Sequence, residues 1–191
     1  MIAKRVDITK NDNHGRLAEY IAAGEEKEKC LVAWCAGCQD NDDYPFAVQE
    51  AVLTQAMNVS TDKPKTYHLV LSFRPEDEDK LSVAVFRDME LRFAEALGFS
   101  GHQRHCGIHQ NTGNIHMHVA YNMIHPETHK RHEPFRDFYA LSRVCRMLEK
   151  EYGLAVDRGI TPGEKTEHIR AKAATVEAQT GQESFESYAV R

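Results

Sequence analysis

The sequence has no long apolar run. Its longest is the six residues Leu31 to Ala36, far short of the roughly 20 that a bilayer-spanning helix needs. Membrane insertion through such a helix is therefore excluded at the sequence level. A secretory signal is missing as well: Lys4, Arg5 and Asp7 put charges where a signal has its apolar core, so a cytoplasmic chain is expected. There is no positive excess. The 24 Lys and Arg stand against 29 Asp and Glu, a net charge of −5, which argues against a nonspecific nucleic-acid binder. Nor do the five cysteines make an even set. An odd number without an export signal reads as reduced thiols, and Cys35-x-x-Cys38 lacks the second pair that a structural zinc site requires. Repeats and low-complexity tracts are also missing.

What remains is an ordinary globular composition, 41% hydrophobic and 28% charged over 191 residues, enough for one domain with a real core. The charge is unevenly spread. Residues 41–100 carry 6 basic against 11 acidic side chains, whereas residues 101–150 carry 7 against 4 and hold 8 of the 11 histidines. An anionic substrate is expected in that second stretch.

Periodicity gives the elements. Ala3 to Ile8 alternates as a strand, and Asn11-Asp12-Asn13 offers caps for a helix bearing Leu17, Tyr20 and Ile21 and ending near Gly24. Leu31 to Ala36 reads as a strand and Pro45 to Met57 as a helix with proline in its first turn. Thr66 to Phe73 is a strand rich in β-branched and aromatic residues. Acidic residues Glu76 to Asp79 then open one long helix to about Leu97, closed by Gly98. His105–Gln110 and Asn114–Ile124 flank Asn111-Thr112-Gly113-Asn114 as a β-hairpin. A last helix runs from about Pro134 to Tyr152. Short strands mixed with helices imply an α+β fold with a largely antiparallel sheet flanked by helices.

The residues that promise chemistry lie across the hairpin. His116 and His118 are two apart on a strand and share a face, and the turn brings His109 onto the neighbouring strand beside them. Three imidazoles in that arrangement suit a divalent ion with positions left for water or substrate. Such a site permits oxygenases, hydrolases and nucleases alike. Tyr20, taken alone, reads as a core tyrosine, because Leu17 and Ile21 share its helix face.

The string His-x-x-Thr-x-x-x-His-x-His-x-x-x-Asn, here His109, Thr112, His116, His118 and Asn122, resembles the third motif of conjugative relaxases, the mobilisation nucleases of the HUH endonuclease superfamily. Leu17-Ala18-Glu19-Tyr20-Ile21 resembles their first motif, which carries the nucleophilic tyrosine. Tyr67-His68-Leu69-Val70-Leu71-Ser72-Phe73 resembles the second, whose serine contacts DNA near the cut. The likeness is to the relaxase domain of IncP-type conjugative plasmids and covers about residues 1–160, with a fainter trace around Thr180 to Ser184.

The resemblance implies an enzyme that nicks one strand at a plasmid or integrative-element transfer origin. Tyr20 would become joined to the 5′ phosphate, with a divalent ion, Mg²⁺ or Mn²⁺, on His109, His116 and His118. His109 is read as a ligand in preference to a general base, and Asn111, where relatives commonly have an acid, weakens the base further. DNA contacts are expected at Ser72, Arg74, Asn111, Thr112, Asn122, Arg136 and Arg143, the last two with Arg146 forming a stripe on the final helix. Trp34 and Tyr121 are expected to pack in preference to stacking on bases. The partners implied are single-stranded or supercoiled origin DNA, relaxosome accessory proteins and a coupling protein. Residues 161–191 read as a helical extension or linker, leading to further domains in a longer protein. The competing readings are a noncatalytic origin-binding module and a rolling-circle initiator; the second is disfavoured because the tyrosine here precedes the histidines.

Overall fold

The computed structural model describes residues 1–8, 12–25, 28–110 and 113–156. Asn111, Thr112, the region of residues 161–191 and Thr180 to Ser184 lie outside the described residues. Met1–Val156 forms one compact unit.

The expected α+β architecture is present. The elements are β1 (Ile2–Val6), α1 (His14–Ala23), β2 (Gly24–Glu25), β3 (Glu28–Ala36), α2 (Tyr44–Met57), β4 (Thr66–Ser72), α3 (Val83–Leu97), β5 (Arg104–Gln110), β6 (Ile115–Asn122) and α4 (Asp137–Glu151). The six strands form one sheet in the order β1-β4-β6-β5-β3-β2, and every pairing is antiparallel.

Local chemistry sets the helix ends. Asn13 caps α1 by accepting from the Arg16 amide at 2.9 Å, and Asp43 caps α2 by accepting from the Phe46 amide at 3.0 Å. The single long helix expected from Glu76 onward is two elements. Pro75–Lys80 is a 3-10 turn, and α3 starts afresh after Ser82, whose hydroxyl accepts from the Val85 amide. The break has a cause: the buried Asp77 carboxylate accepts from the Ala155 amide and from Lys80 Nζ at 2.9–3.0 Å, so it ties down the segment after α4 instead of facing the α3 dipole. Gly98, at φ 79°, closes α3 as expected.

Strand alternation sorts side chains to two faces. One side of β4, β5 and β6 carries Tyr67, Leu69, Leu71, Cys106, Ile108, Met117, Val119 and Tyr121, packed into one core with Phe86, Met89, Phe93 and Leu97 of α3 and Leu141, Val144 and Leu148 of α4. Trp34 and Tyr121 are buried in this core, so the packing expected for them holds. The other side, covered by α1 and α2, carries the histidines.

Candidate active site

The hairpin register places His109 directly opposite His116, and Gly107 opposite His118. Tyr20 reaches this cluster from α1. Its ring lies edge-on to His109, centroids 5.3 Å apart at 71°, and edge-on to His118 at 5.5 Å and 87°. His109 and His118 are 4.7 Å apart, His116 and His118 6.5 Å. The three relaxase-like strings, far apart in sequence, therefore meet at one place.

Each imidazole is fixed through one ring nitrogen. His109 Nε2 lies 2.8 Å from the Ile21 carbonyl oxygen; a carbonyl only accepts, so Nε2 carries the proton and Nδ1 the lone pair. His116 Nδ1 lies 3.0 Å from Ser72 Oγ. His118 Nδ1 lies 3.1 Å from His68 Nε2, the two rings stacked at 5.4 Å. Burial, reinforced by nearby His109, pushes His68 down to about 4, so it stays neutral near pH 7.

A second imidazole pair anchors the start of the same helix. His14 Nε2 lies 3.0 Å from His105 Nδ1. Burial holds His14 at about 3, with His105 adding to the effect, and His105 at about 4.

Does this donor set fit a divalent ion? Among the described residues no three His, Cys, Asp or Glu side chains already stand in position to hold one. The contacts around the imidazoles do fit: a carbonyl, a hydroxyl and a neighbouring imidazole set the orientation of the three rings, and the carbonyl also sets the tautomer of His109, as outer-shell groups do for metal-bound histidines. The Cys35/Cys38 pair has the opposite character. Burial, with Cys35 and Glu50 nearby, pushes the Cys38 thiol up to about 12, away from the thiolate a metal takes.

The DNA-contact residues expected from sequence divide. Arg74 is exposed at the end of β4, 3.5 Å from exposed Glu76, beside a polar recess of about 180 Å³ shared with Gln110, Gly113, Asn114 and Ile115. The Ser72 hydroxyl is engaged with His116. Asn122 requires a correction: it is fully buried, donates to Gln103 Oε1 and the Ala51 carbonyl, and accepts from the Ile124 amide. It secures the covered end of β6 and offers DNA nothing. The arginine stripe also changes. Arg136 stands before α4 in the left-handed region at φ 50°, so it leaves the helical line of Arg143 and Arg146. That helix packs on β1 and α3, on the sheet side away from the histidines.

Sequence reasoning missed three contributors. His68 stood within the second motif-like string, where only Ser72 was given a role, and a main-chain carbonyl leaves no trace in a motif. Gly107 did leave one, a glycine inside a strand pattern: a Cβ there would lie 2.4 Å from the Ile21 carbonyl oxygen and 2.7 Å from Ile21 Cγ2.

Residues 20–154 match the family of relaxase nuclease domains described as MobA/VirD2-like. The chain belongs to this relaxase family. Two proteins named TraI from Escherichia coli are each 35% identical to the relaxase over 188 residues, 97% of it. It spans about a quarter of their length, 25% and 24%. A protein named MobA from Acidithiobacillus ferrooxidans is 41% identical over 63 residues, 33% of this relaxase and 15% of that protein. A solved structure concerned with vancomycin resistance transfer in Staphylococcus aureus overlays at TM-score 0.44 and 13% identity, over 67% of this chain and 74% of that one.

Proposed function

We propose that this domain nicks one DNA strand at a transfer origin by transesterification through Tyr20. The observation that carries the reading is the packing of the Tyr20 ring against His109 and His118. In the reaction the Tyr20 oxygen bonds to phosphorus and the P–O3′ bond breaks. Tyr20 gives up one proton and the 3′ oxygen takes up one. One phosphate diester replaces another, so the step is close to reversible and the strand can be rejoined.

A free phenol is a weak acid, ordinarily about 10, so a tyrosine nucleophile depends on stabilising charge at the phosphate. His109, His116 and His118 would hold a divalent ion, Mg²⁺ or Mn²⁺, which when bound supplies Lewis-acid stabilisation of the nonbridging oxygens. With its Nε2–H committed to Ile21, His109 has one lone-pair nitrogen, which serves either an ion or the Tyr20 proton and not both. We assign it to the ion. Arg74, exposed beside His116's strand end, would contact a flanking phosphate. The substrate is single-stranded origin DNA within a supercoiled plasmid or integrative element in the cytoplasm, with relaxosome accessory proteins and a coupling protein as partners.

The test is a denaturing gel of end-labelled single-stranded oligonucleotides tiled across the replicon's candidate origin, with Mn²⁺ or Mg²⁺. A protein–DNA adduct is expected with the wild type, none with Tyr20→Phe, and none after chelation. Binding without an adduct across the whole tiling set would instead favour a noncatalytic origin-binding module.

A further inference from the structure

Three large aromatic side chains stand in solvent around the start of α4. Phe135, Phe138 and Tyr139 are 86%, 66% and 65% exposed, and a cluster of that kind marks an interaction surface. The rings are mutually arranged: Phe138 and Tyr139 meet with centroids 4.9 Å apart, and the Arg136 guanidinium lies 5.1 Å from the centre of the Phe135 ring. From Tyr139 the exposed side of α4 continues at helical spacing through Arg143, Arg146 and Lys150. Arg146 is paired with Glu149 at 2.8 Å, whereas Arg143 has no ion pair among the described residues.

Another exposed apolar row shows what is particular here. Phe46, Leu53 and Met57 on α2 are 49%, 65% and 60% exposed, yet α2 contains no lysine or arginine. Among the described residues, the α4 surface joins exposed aromatic rings to cations and the α2 row does not. Rings that accept bases by stacking, beside cations that follow the phosphates, are the combination that holds a single strand without regard to sequence.

We propose that Phe135, Phe138 and Tyr139, with Arg136 and Arg143, form a second single-stranded DNA contact that holds nucleotides outside those at Tyr20. The surface lies with α4 on the sheet side away from the histidines, so the strand reaches it around the β1 edge. There Arg5, Lys63 and Arg131 line a groove of about 240 Å³, together with the acidic Asp7 and Glu133. The proposal rests on the reading of the protein as an enzyme of single-stranded DNA.

The test is fluorescence anisotropy in EDTA with a strand of about 30 thymidines and an abasic strand of the same length and charge. These probes carry no origin sequence and need no cleavage, so failure of the nicking reading would leave the result standing. The Phe135→Ser/Phe138→Ser/Tyr139→Ser variant is expected to bind the thymidine strand about tenfold more weakly, with abasic binding changed less than twofold. All three side chains point outward, and circular dichroism checks that the variant folds. Arg136→Gly provides a second variant, suited to the left-handed backbone; it should fold at least as well and bind the thymidine strand severalfold more weakly. Unchanged thymidine binding in the triple variant overturns the proposal. So does loss of self-association in sedimentation with DNA binding intact, because the surface would then serve a protein.

Discussion

The two sides of the central sheet are made by the same strands and have opposite character. Along β4 and β6, Tyr67, Leu69, Leu71, Met117, Val119 and Tyr121 point to the α3/α4 side and are fully buried. Their alternating neighbours His68, Ser72, His116, His118 and Asn122 point to the other side. The first set stabilises the fold by removing apolar area from water. The second contributes less apolar area, so α1, which buries Ala18 and Ile21 there, is also held by close approach over Gly107 and by hydrogen bonds from imidazoles. A two-residue period thus places cohesion on one side of a sheet and reactive groups on the other.

The sharpest way to break this contrast is to damage the apolar side alone. Phe93→Ala leaves a cavity beneath the sheet and should cost about 3–5 kcal/mol in urea unfolding, while the molecules still folded form the tyrosyl adduct at the wild-type rate. A proportional loss of adduct per folded molecule would mean that the two sides are not separable.

Acid should act on the imidazole side. His14 and His105 sit at about 3 and 4 in the folded state, below about 6.5 in an unfolded chain, so the unfolded state binds protons first. Their contribution to stability is therefore complete above about pH 6.5 and declines as pH falls from there toward 4 and 3. Between pH 7 and pH 5 the loss is on the order of 2 kcal/mol for each group. Urea titrations at both pH values should show it; because His68 and His102 are held down to about 4 as well, about a quarter of the pH dependence should be gone in His14→Gln and all of it kept in Phe93→Ala.

Gly107→Ala tests the close approach. The added methyl meets the Ile21 carbonyl, so α1 must shift; stability should fall by about 1–3 kcal/mol and the adduct rate by about 100-fold. Because the contact is with main chain, adding Ile21→Ala should not rescue it. The smallest effect is expected at His68, whose ring is hydrogen-bonded to and stacked on His118. His68→Ala should weaken Mn²⁺ binding in calorimetry by about 10- to 100-fold with little change in unfolding. Unaltered binding would remove His68 from the site.

Much of this contrast is legible in the sequence, because alternation is written there directly. His116-Met117-His118 already states that imidazoles and apolar side chains take opposite sides, and Asn111 to Asn114 states that the chain turns back to bring His109 alongside. What was not legible depends on contacts between distant segments. The helix expected from Glu76 is interrupted because Asp77 binds the Ala155 amide 78 residues away, and no local pattern announces such a partner. Arg136 leaves its expected stripe through a single left-handed residue that propensity does not foresee. Asn122 matches a motif position, but only burial reveals that its amide is consumed by Gln103 and Ala51. Of the candidate site, side-chain identities could be read from the string; the groups that aim them could not.

The two bonds between α1 and β5 have a mechanical consequence. His14 meets His105 near one end of the helix, and Ile21 meets His109 near the other. Seven helical residues span about 10.5 Å and four strand residues about 13 Å, so helix and strand run side by side between matched fastenings. Tyr20 sits between these fastenings, one residue from the second. If DNA is joined to Tyr20 as proposed, tension on that strand would load both fastenings together, in shear along β5, instead of peeling the helix from one end.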